Sequence, residues 1–234
     1  MALPKINVPM YDVYLPSTGA KLNMRPYLVK EEKVLMIALE SSDPGQIAQS
    51  VRNVISSCYS IENVDDLTTF DIEYLFLQLR GKSVGEDMEL QLKCDKCDTL
   101  NPLVVNVNDV KMTNISDKSN VVMITDEVGL KMKWPSVKTF GSIDATKLNS
   151  VEGLMDLIME CIESIFDADA VYNRDEMGKD ELVDFIDNLN SAQFKKVQAF
   201  FQDIPAVEYK TKLICHKCKE ENEIELKGLQ SFFS

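Results

Sequence analysis

The sequences LKCDKC at residues 92–97 and LICHKC at residues 213–218 organise this chain of 234 residues. Each contains two cysteines separated by two residues, and each has strand-forming residues on both sides. The flanking runs are 88–92 and 103–107 around the first pair, and 209–214 and 223–226 around the second. This pattern predicts that each pair lies in a knuckle at the tip of a β-hairpin.

The four cysteines of these pairs predict one zinc ion per chain. Four thiolates at about 2.3 Å satisfy tetrahedral zinc, and a two-residue gap lets both sulfurs of one turn reach the same ion. Because four thiolates close the coordination shell, the ion is expected to be structural and not catalytic. The predicted ligands are Cys94, Cys97, Cys215 and Cys218.

Three other uses of the cysteine pairs compete with zinc. Disulfides need an oxidising compartment, and the N-terminal sequence Met-Ala-Leu-Pro-Lys lacks the basic and apolar segments of a secretion signal. A thioredoxin-like motif lies where a strand meets a helix, whereas neither flank here has helical periodicity. An iron–sulfur cluster uses the same four thiolates, so the sequence leaves iron open as an alternative to zinc.

The remaining cysteines and the single histidine are weak ligand candidates. Cys58 and Cys161 lie in apolar stretches with helical spacing, where a buried thiol packs as a small hydrophobic group. His216 lies inside the second pair and is expected to be a solvated loop residue. Because the chain has a single histidine, a histidine-dependent catalytic triad is not expected, and the sequence contains no phosphate-binding loop motif. These observations predict a protein that is not an enzyme.

The charge of the chain limits its partners. Its 25 basic and 38 acidic residues give a net charge of −13, which repels nucleic-acid backbones and favours a basic protein partner. Six lysines near the cysteine pairs form the one local exception. No apolar run approaches the roughly 18–20 residues of a membrane span, so direct insertion into a membrane is not expected.

The predicted fold class is α+β, with two helical blocks joined by a strand-rich segment. The zinc ribbon is expected to be built from about residues 86–108 and 207–228, which are distant in sequence. Residues 1–29 are predicted to form an extended arm, because its prolines prevent a continuous helix. Such an arm either packs on its own domain as a strand pair or docks onto a partner. Residues 30–234 are predicted to form a single domain.

The first helical block covers about residues 30–80. Its second helix is expected to begin at Pro44, with Asp43 as the N-cap, since proline is favoured at the first helical position. Its third helix is expected to end within residues 80–83, with Gly81 as the stop, because glycine commonly ends a helix.

The strand-rich segment and the second helical block follow. Residues 120–124 and 129–135 predict a hairpin, and its Trp134 is expected in the core. The first helix of the second block is expected to run through the apolar positions 154–165. Residues 166–181 superficially resemble a calcium loop, but valine, tyrosine and glycine occupy positions that require a ligand, a glycine and a glutamate. An acidic connection is expected there instead, with Asp180 or a neighbour capping the next helix.

Several stretches, taken in order, resemble the baseplate hub proteins of T-even-type bacteriophages. They are YLPSTG, KLNMRPYLVKEEK, ALESSD, FDIEYLFLQLRGKSVGE, which leads into the first cysteine pair, and GLQSFFS after the second pair. The likeness extends from Tyr14 to Phe233. It implies a late viral protein that acts in the cytoplasm of infected bacteria by binding other tail proteins. Both family roles, a hub subunit retained in the virion tail and a chaperone of hub assembly, agree with the residues.

An alternative from a different class is a cytosolic zinc-ribbon adaptor that recruits host proteins. The apolar C-terminal residues 229–234 suit an assembly partner. Phe232 and Phe233 are nevertheless expected to pack inside their own domain more often than in a partner.

Overall fold

The computed structural model describes residues 7–113, 120–143, 147, 150–202 and 204–232. Within these residues the chain forms seven α-helices and eleven strands in small antiparallel sheets, which confirms the predicted α+β class. In chain order the elements are β1 (Tyr11–Tyr14), β2 (Lys21–Met24), α1 (Val29–Ser41), α2 (Pro44–Cys58), α3 (Thr69–Ser83), β3 (Asp87–Lys93), β4 (Leu100–Asn106), β5 (Lys111–Met112), β6 (Val121–Met123), β7 (Gly129–Met132), α4 (Val137–Ser142), α5 (Val151–Cys161), β8 (Ile162–Phe166), β9 (Val171–Asn173), α6 (Lys179–Asp187), α7 (Ser191–Gln202), β10 (Val207–Ile214) and β11 (Glu221–Lys227).

The described residues form two compact units. The first unit contains those within Met1–Val64, Phe70–Thr113 and Pro205–Ser234, and the second contains those within Asp65–Thr69 and Asn114–Ile204. The first unit holds the sheets β1-β2, β3-β4 and β11-β10-β5, while the second holds the sheet β6-β7-β8-β9. The division predicted from the sequence, an arm followed by a single domain, stays a prediction.

The β1–β2 hairpin packs on the first unit through both strands. Val13 and Met24 are buried. In the turn between the strands, the backbone N–H of Ser17 donates to a carboxylate oxygen of Asp71 in α3 at 3.0 Å. These contacts are those of a strand pair packed on its own unit, one of the two alternatives for the arm. Residues 1–6 of the arm lie outside the described residues.

Helix α2 begins where its sequence predicts. The Asp43 carboxylate accepts hydrogen bonds from the backbone N–H groups of Gly45 at 2.8 Å and Gln46 at 3.3 Å, and Pro44 occupies the first helical position. The N-cap prediction is therefore confirmed. The buried face of the helix consists of Val51, Val54, Ile55 and Cys58.

The predicted stop of the third helix at Gly81 is wrong. Helix α3 continues to Ser83, and Gly81 lies inside it, where a Cβ atom would meet the Val107 side chain at 3.6 Å. Beyond the end of this helix, Gly85 has a φ of +142°, a backbone conformation that favours glycine. Gly81 is therefore a packing position inside the helix and not its C-terminal end.

The predicted continuation of the first helix of the second block through residue 165 is also wrong. Helix α5 ends at Cys161, and the next residues form strand β8, which pairs with β7. Ile162 and Ile165 have helical spacing, but both are β-branched and both are buried in the strand. Short apolar runs do not distinguish a buried strand from a buried helix, which explains the error.

The second unit has its own core. Strands β6 and β7 form the predicted hairpin, and Trp134 stacks on Phe200 of α7 with ring centroids 4.4 Å apart, so its predicted core role is confirmed. Part of the acidic segment forms β9, which pairs with β8. Glu181 caps α6 by accepting the Gly178 N–H at 2.8 Å, close to the residue expected to do so.

The C-terminal residues return to the first unit. A short 3₁₀ helix, Leu229–Phe232, follows β11 and buries Phe232 in the apolar core of that unit, whereas Phe233 lies outside the described residues. The buried members of this core are Leu77, Met88, Leu90, Val105, Val107, Val207, Leu226 and Phe232. In the described part of the chain, none of the helices has the length and apolar character needed to cross a membrane.

Candidate metal centre

The hairpins β3–β4 and β10–β11 are two copies of one structure. Each pairs seven residues of one strand with seven of the next in the same register. Asp87 pairs with Asn106 at the base of the first, as Glu208 pairs with Lys227 at the base of the second. A constant offset along the chain relates every pair, so each cysteine pair occupies the same place between its strands.

The two knuckles also share their backbone hydrogen bonds. In the first, the N–H of Cys94 donates to the carbonyl of Thr99 at 3.0 Å, and the N–H of Asp98 donates back to Cys94 at 2.9 Å. In the second, Cys215 has the matching bonds with Glu220 at 2.8 Å and Lys219 at 3.0 Å. Asp98 and Lys219 both have positive φ, at 54° and 62°. The two cysteine pairs therefore lie in turns with the same backbone geometry.

The structure brings all four sequence-predicted cysteines together. Their Sγ atoms lie within 4.8 Å of one another. Three of these separations are 3.6 Å between Cys94 and Cys218, 3.7 Å between Cys97 and Cys215, and 3.5 Å between Cys97 and Cys218. Cys94 and Cys215 are fully buried and the other two are half-buried, and all four are free thiols.

This donor set fits a tetrahedral ion. Sulfurs about 2.3 Å from a common centre lie about 3.8 Å apart in a tetrahedron, close to the separations found here. Soft thiolates select zinc or iron–sulfur chemistry over magnesium or calcium, which prefer oxygen. The four cysteines can therefore hold a metal ion, and the identity of that ion stays a prediction.

Hydrogen bonds give the thiols unequal acidity. The backbone N–H of Cys218 lowers the pKa of Cys215 to about 6, and hydrogen bonds from Thr99 lower the pKa of Cys97. For Cys218, the backbone N–H of Glu220 favours the thiolate, but burial and the three neighbouring sulfurs outweigh it and raise the pKa to about 12. Adjacent thiolates repel one another, so a cation is needed to ionise all four.

Two buried asparagines join the knuckles reciprocally. The side-chain oxygen of Asn101 in β4 accepts the backbone N–H of His216 in the second knuckle at 2.9 Å. The side-chain oxygen of Asn222 in β11 accepts the backbone N–H of Asp95 in the first knuckle at 2.9 Å. Both asparagines follow the first cysteine of their own pair by the same number of residues. Each hairpin thus accepts one hydrogen bond from the knuckle of the other, and the two bonds involve equivalent positions of the two hairpins.

Each asparagine also donates within its surroundings. The Asn101 amide donates to the Thr99 carbonyl at 2.7 Å and lies 3.7 Å from the Cys215 sulfur. The Asn222 amide donates to the carbonyl of Glu220 at 3.1 Å. Because the side chains are buried and have partners on both sides, they fix the distance between the knuckles.

Sequence reasoning missed these asparagines. The sequence does carry a signal for them, because an asparagine lies at the same distance after Cys94 and after Cys215. His216 is exposed, which confirms the prediction of a solvated loop residue, although its Nδ1 lies 2.8 Å from Asn101. Cys58 and Cys161 are buried and are not members of the cysteine quartet, and burial raises their pKa values to about 11 and about 12.

Three of the six lysines near the cysteine pairs form ion pairs with glutamates. Lys96 pairs with Glu220 across the two knuckles at 2.6 Å, and Lys212 pairs with Glu221 at 2.6 Å. Lys210 lies within 3.3 Å of two glutamates. Lys96, Lys210 and Lys212 therefore face carboxylates, and these three lysines do not contribute to a free basic patch.

A protein-family comparison covers almost the whole chain. The model described as T4 bacteriophage base plate protein matches residues 8–234, which include both hairpins and both compact units. The chain belongs to this base plate family. The phage-baseplate resemblance carried by the ordered stretches is therefore confirmed.

Membership of this family indicates a structural phage protein that interacts with other base plate or tail proteins. No match was found among curated proteins or among solved structures. The arrangement of the cysteines and asparagines is accordingly read from this structure alone.

Proposed function

We propose that this base plate protein serves the tail hub, either as a hub subunit or as a chaperone of hub assembly. It acts by binding other tail proteins and not by catalysis. One structural zinc ion per chain, held by the four clustered cysteines, supports the fold that presents its binding surfaces. The observation that carries the zinc proposal is the convergence of four sulfurs from two hairpins with matched geometry.

The role assigned to zinc follows from the chain's topology. The ion joins residues 94–97 to residues 215–218, so the last hairpin is tied to the middle of the chain and the first unit is closed around it. Closing so long a loop constrains the unfolded chain, and structural zinc contributes about 10 kcal/mol or more in apparent binding energy. A closed shell of thiolates withholds the metal from substrates, which supports a non-enzymatic role.

The kind of partner follows from charge. A net charge of −13 accelerates encounter with a basic protein surface and opposes contact with phosphate backbones. The ion pairs between knuckle lysines and glutamates reduce the one local attraction for nucleic acid. We therefore propose protein partners within the tail and no nucleic-acid ligand.

The hub role is tested in infected cells. Infection with phage lacking this protein should produce no base plates with complete hubs, and supplying the wild-type chain should restore them. Normal tails in its absence would refute the hub role. Proteomics of purified tails then separates the two roles, because a subunit is retained in the virion and a chaperone is found only in the host cytoplasm. Copurification with host complexes and not with tail proteins would instead establish the zinc-ribbon adaptor.

A further inference from the structure

Helix α1 exposes apolar side chains that its own unit does not cover. Val29, Met36 and Ile37 are 64%, 55% and 67% exposed, and the buried residues of this helix are Glu31 and Ala38. A surface helix normally turns its apolar residues toward the core and its charges toward water. Clusters of large exposed apolar residues on a stable protein mark interaction surfaces.

These residues share one stripe with two charges. We call Val29, Lys33, Met36, Ile37 and Glu40 the α1 outer face, because their spacing places them on one side of the helix. Lys33 and Glu40 are exposed. Among the described residues, the ion pairs made by α1 involve Glu31 and neither of these two charges.

The α1 outer face is complementary to itself. Lys33 and Glu40 are seven residues apart, about 10 Å along the axis, and the midpoint between them falls between Met36 and Ile37. If two such helices lie antiparallel with a twofold axis at this midpoint, Lys33 of each copy meets Glu40 of the other. Met36 of each copy then lies beside Ile37 of the other.

We propose that the chain forms a homodimer through antiparallel pairing of the α1 outer faces of two copies. A closed twofold contact uses the same patch on both subunits, which is the symmetry this pattern of charges requires. The apolar residues supply the buried centre of the contact, and the ion pairs set its direction. The proposal does not depend on the hub role or on zinc.

The charges discriminate against other arrangements. In a parallel pair with the same centre, Lys33 would face Lys33 and Glu40 would face Glu40, so both contacts would repel. A second copy of the chain necessarily carries the complementary charges at the required spacing. The large negative charge of the whole chain opposes association at low salt.

Charge reversal provides the test, because it separates this geometry from other forms of association. Sedimentation equilibrium is measured at about 0.1 M salt, where the Debye length of about 10 Å screens distant charges more than contacts. The wild-type chain should show a concentration-dependent dimer. Lys33→Glu and Glu40→Lys should each weaken it about tenfold, since each converts both ion pairs to repulsions. An equimolar mixture of the two variants should dimerise again, because every pair becomes opposite in charge.

Two further variants complete the experiment. Ile37→Asp should abolish the dimer without unfolding the chain, because the side chain is exposed. Val151→Glu, an equally drastic change at a 78% exposed helical position on the other unit, should leave it intact. A wild-type chain that stays monomeric up to about 100 μM, a range suited to weak contacts, overturns the proposal. So does a mixture of the charge variants that fails to recover the dimer, or an Ile37→Asp chain that still dimerises.

Discussion

Asn101 and Asn222 hold the two knuckles together by accepting hydrogen bonds from backbone N–H groups of the opposite knuckle. These bonds act in addition to any metal ion that the four sulfurs bind. Replacing either by alanine removes the acceptor for the opposite knuckle and leaves a backbone N–H of that knuckle without its side-chain partner. Loss of such supporting contacts typically costs about 10–100-fold in metal affinity. We predict a loss of that size for Asn101→Ala and for Asn222→Ala, measured by competition with a chromophoric chelator.

The control for this experiment is Asn108→Ala, because Asn108 is an exposed asparagine at the far end of the first hairpin. It should bind metal like the wild type. Unchanged affinity in both knuckle variants would show that the asparagines do not position the metal site.

Glu31 gives the fold a pH dependence that can be measured. Burial alone would raise its pKa, but the Arg25 guanidinium at 2.7 Å, the Leu28 backbone N–H and the nearby Lys30 lower it to about 2, from an ordinary value of 4.5. A carboxylate with a lowered pKa stabilises the fold above its ordinary pKa, and this contribution is lost as the pH falls toward the lowered value. The shift corresponds to on the order of 3 kcal/mol at neutral pH.

We therefore predict that Glu31→Gln lowers the free energy of unfolding by about 2 kcal/mol at about pH 7, since glutamine keeps an acceptor but loses the charge. Urea denaturation should show this difference shrinking below about pH 4.5, to half or less near pH 3. A difference that is constant from pH 7 to pH 3 would contradict the assigned pKa.

Among single residues, the sequence predicts those whose chemistry is tied to short spacing. The two-residue separation of Cys94 and Cys97 is enough to predict a metal-binding turn. Asn101 looks like an ordinary polar residue in a strand, because its partner His216 lies in the other hairpin, more than a hundred residues away. Only the repeated spacing in both knuckles carries that information.

At the level of elements, Gly81 distinguishes the predicted helix end from the observed helix interior. A Cβ at this position would lie 3.6 Å from Val107, an ordinary packing distance, and the backbone is helical. Gly81→Ala should therefore stabilise the protein by about 0.5–1 kcal/mol, because alanine loses less backbone entropy in a helix. Gly85→Ala should destabilise it, since φ there is +142°. The melting temperatures of both variants check this prediction. A lower melting temperature for Gly81→Ala than for the wild type would contradict the interior position of Gly81 in the helix.

The elements that were predicted correctly have local causes. Asp43 followed by proline determines the start of α2 through hydrogen bonds within three residues. The end of α5 has no such local signal, because Ile162–Phe166 becomes a strand only by pairing with β7, whose residues lie about thirty positions earlier. Tertiary pairing overrides helical spacing in segments of this length.

For the whole molecule, the prediction concerns whether the two compact units unfold together in one cooperative transition. The predicted single domain, residues 30–234, requires that both units unfold in one transition. Trp134, the single tryptophan of the chain, lies in the second unit and the four cysteines lie in the first. We predict that denaturant transitions followed by tryptophan fluorescence and by metal release coincide. Two separated midpoints would show that the units are independent domains.

The return of the C-terminal hairpin to the middle of the chain was predictable, because the two cysteine pairs require it. The grouping of residues into two units was not, since it depends on contacts among segments far apart in sequence. The same holds for the α1 outer face, whose exposure follows from what the rest of the unit leaves uncovered.

The central claim is that Cys94, Cys97, Cys215 and Cys218 hold one zinc ion within one chain. Elemental analysis of the purified protein tests it most directly, together with the variants Cys215→Ser and Cys58→Ala. We predict one equivalent of zinc in the wild type and in Cys58→Ala, whose thiol lies in the core, and none in Cys215→Ser. Iron in place of zinc, half an equivalent shared between chains, or full zinc in Cys215→Ser would contradict the account.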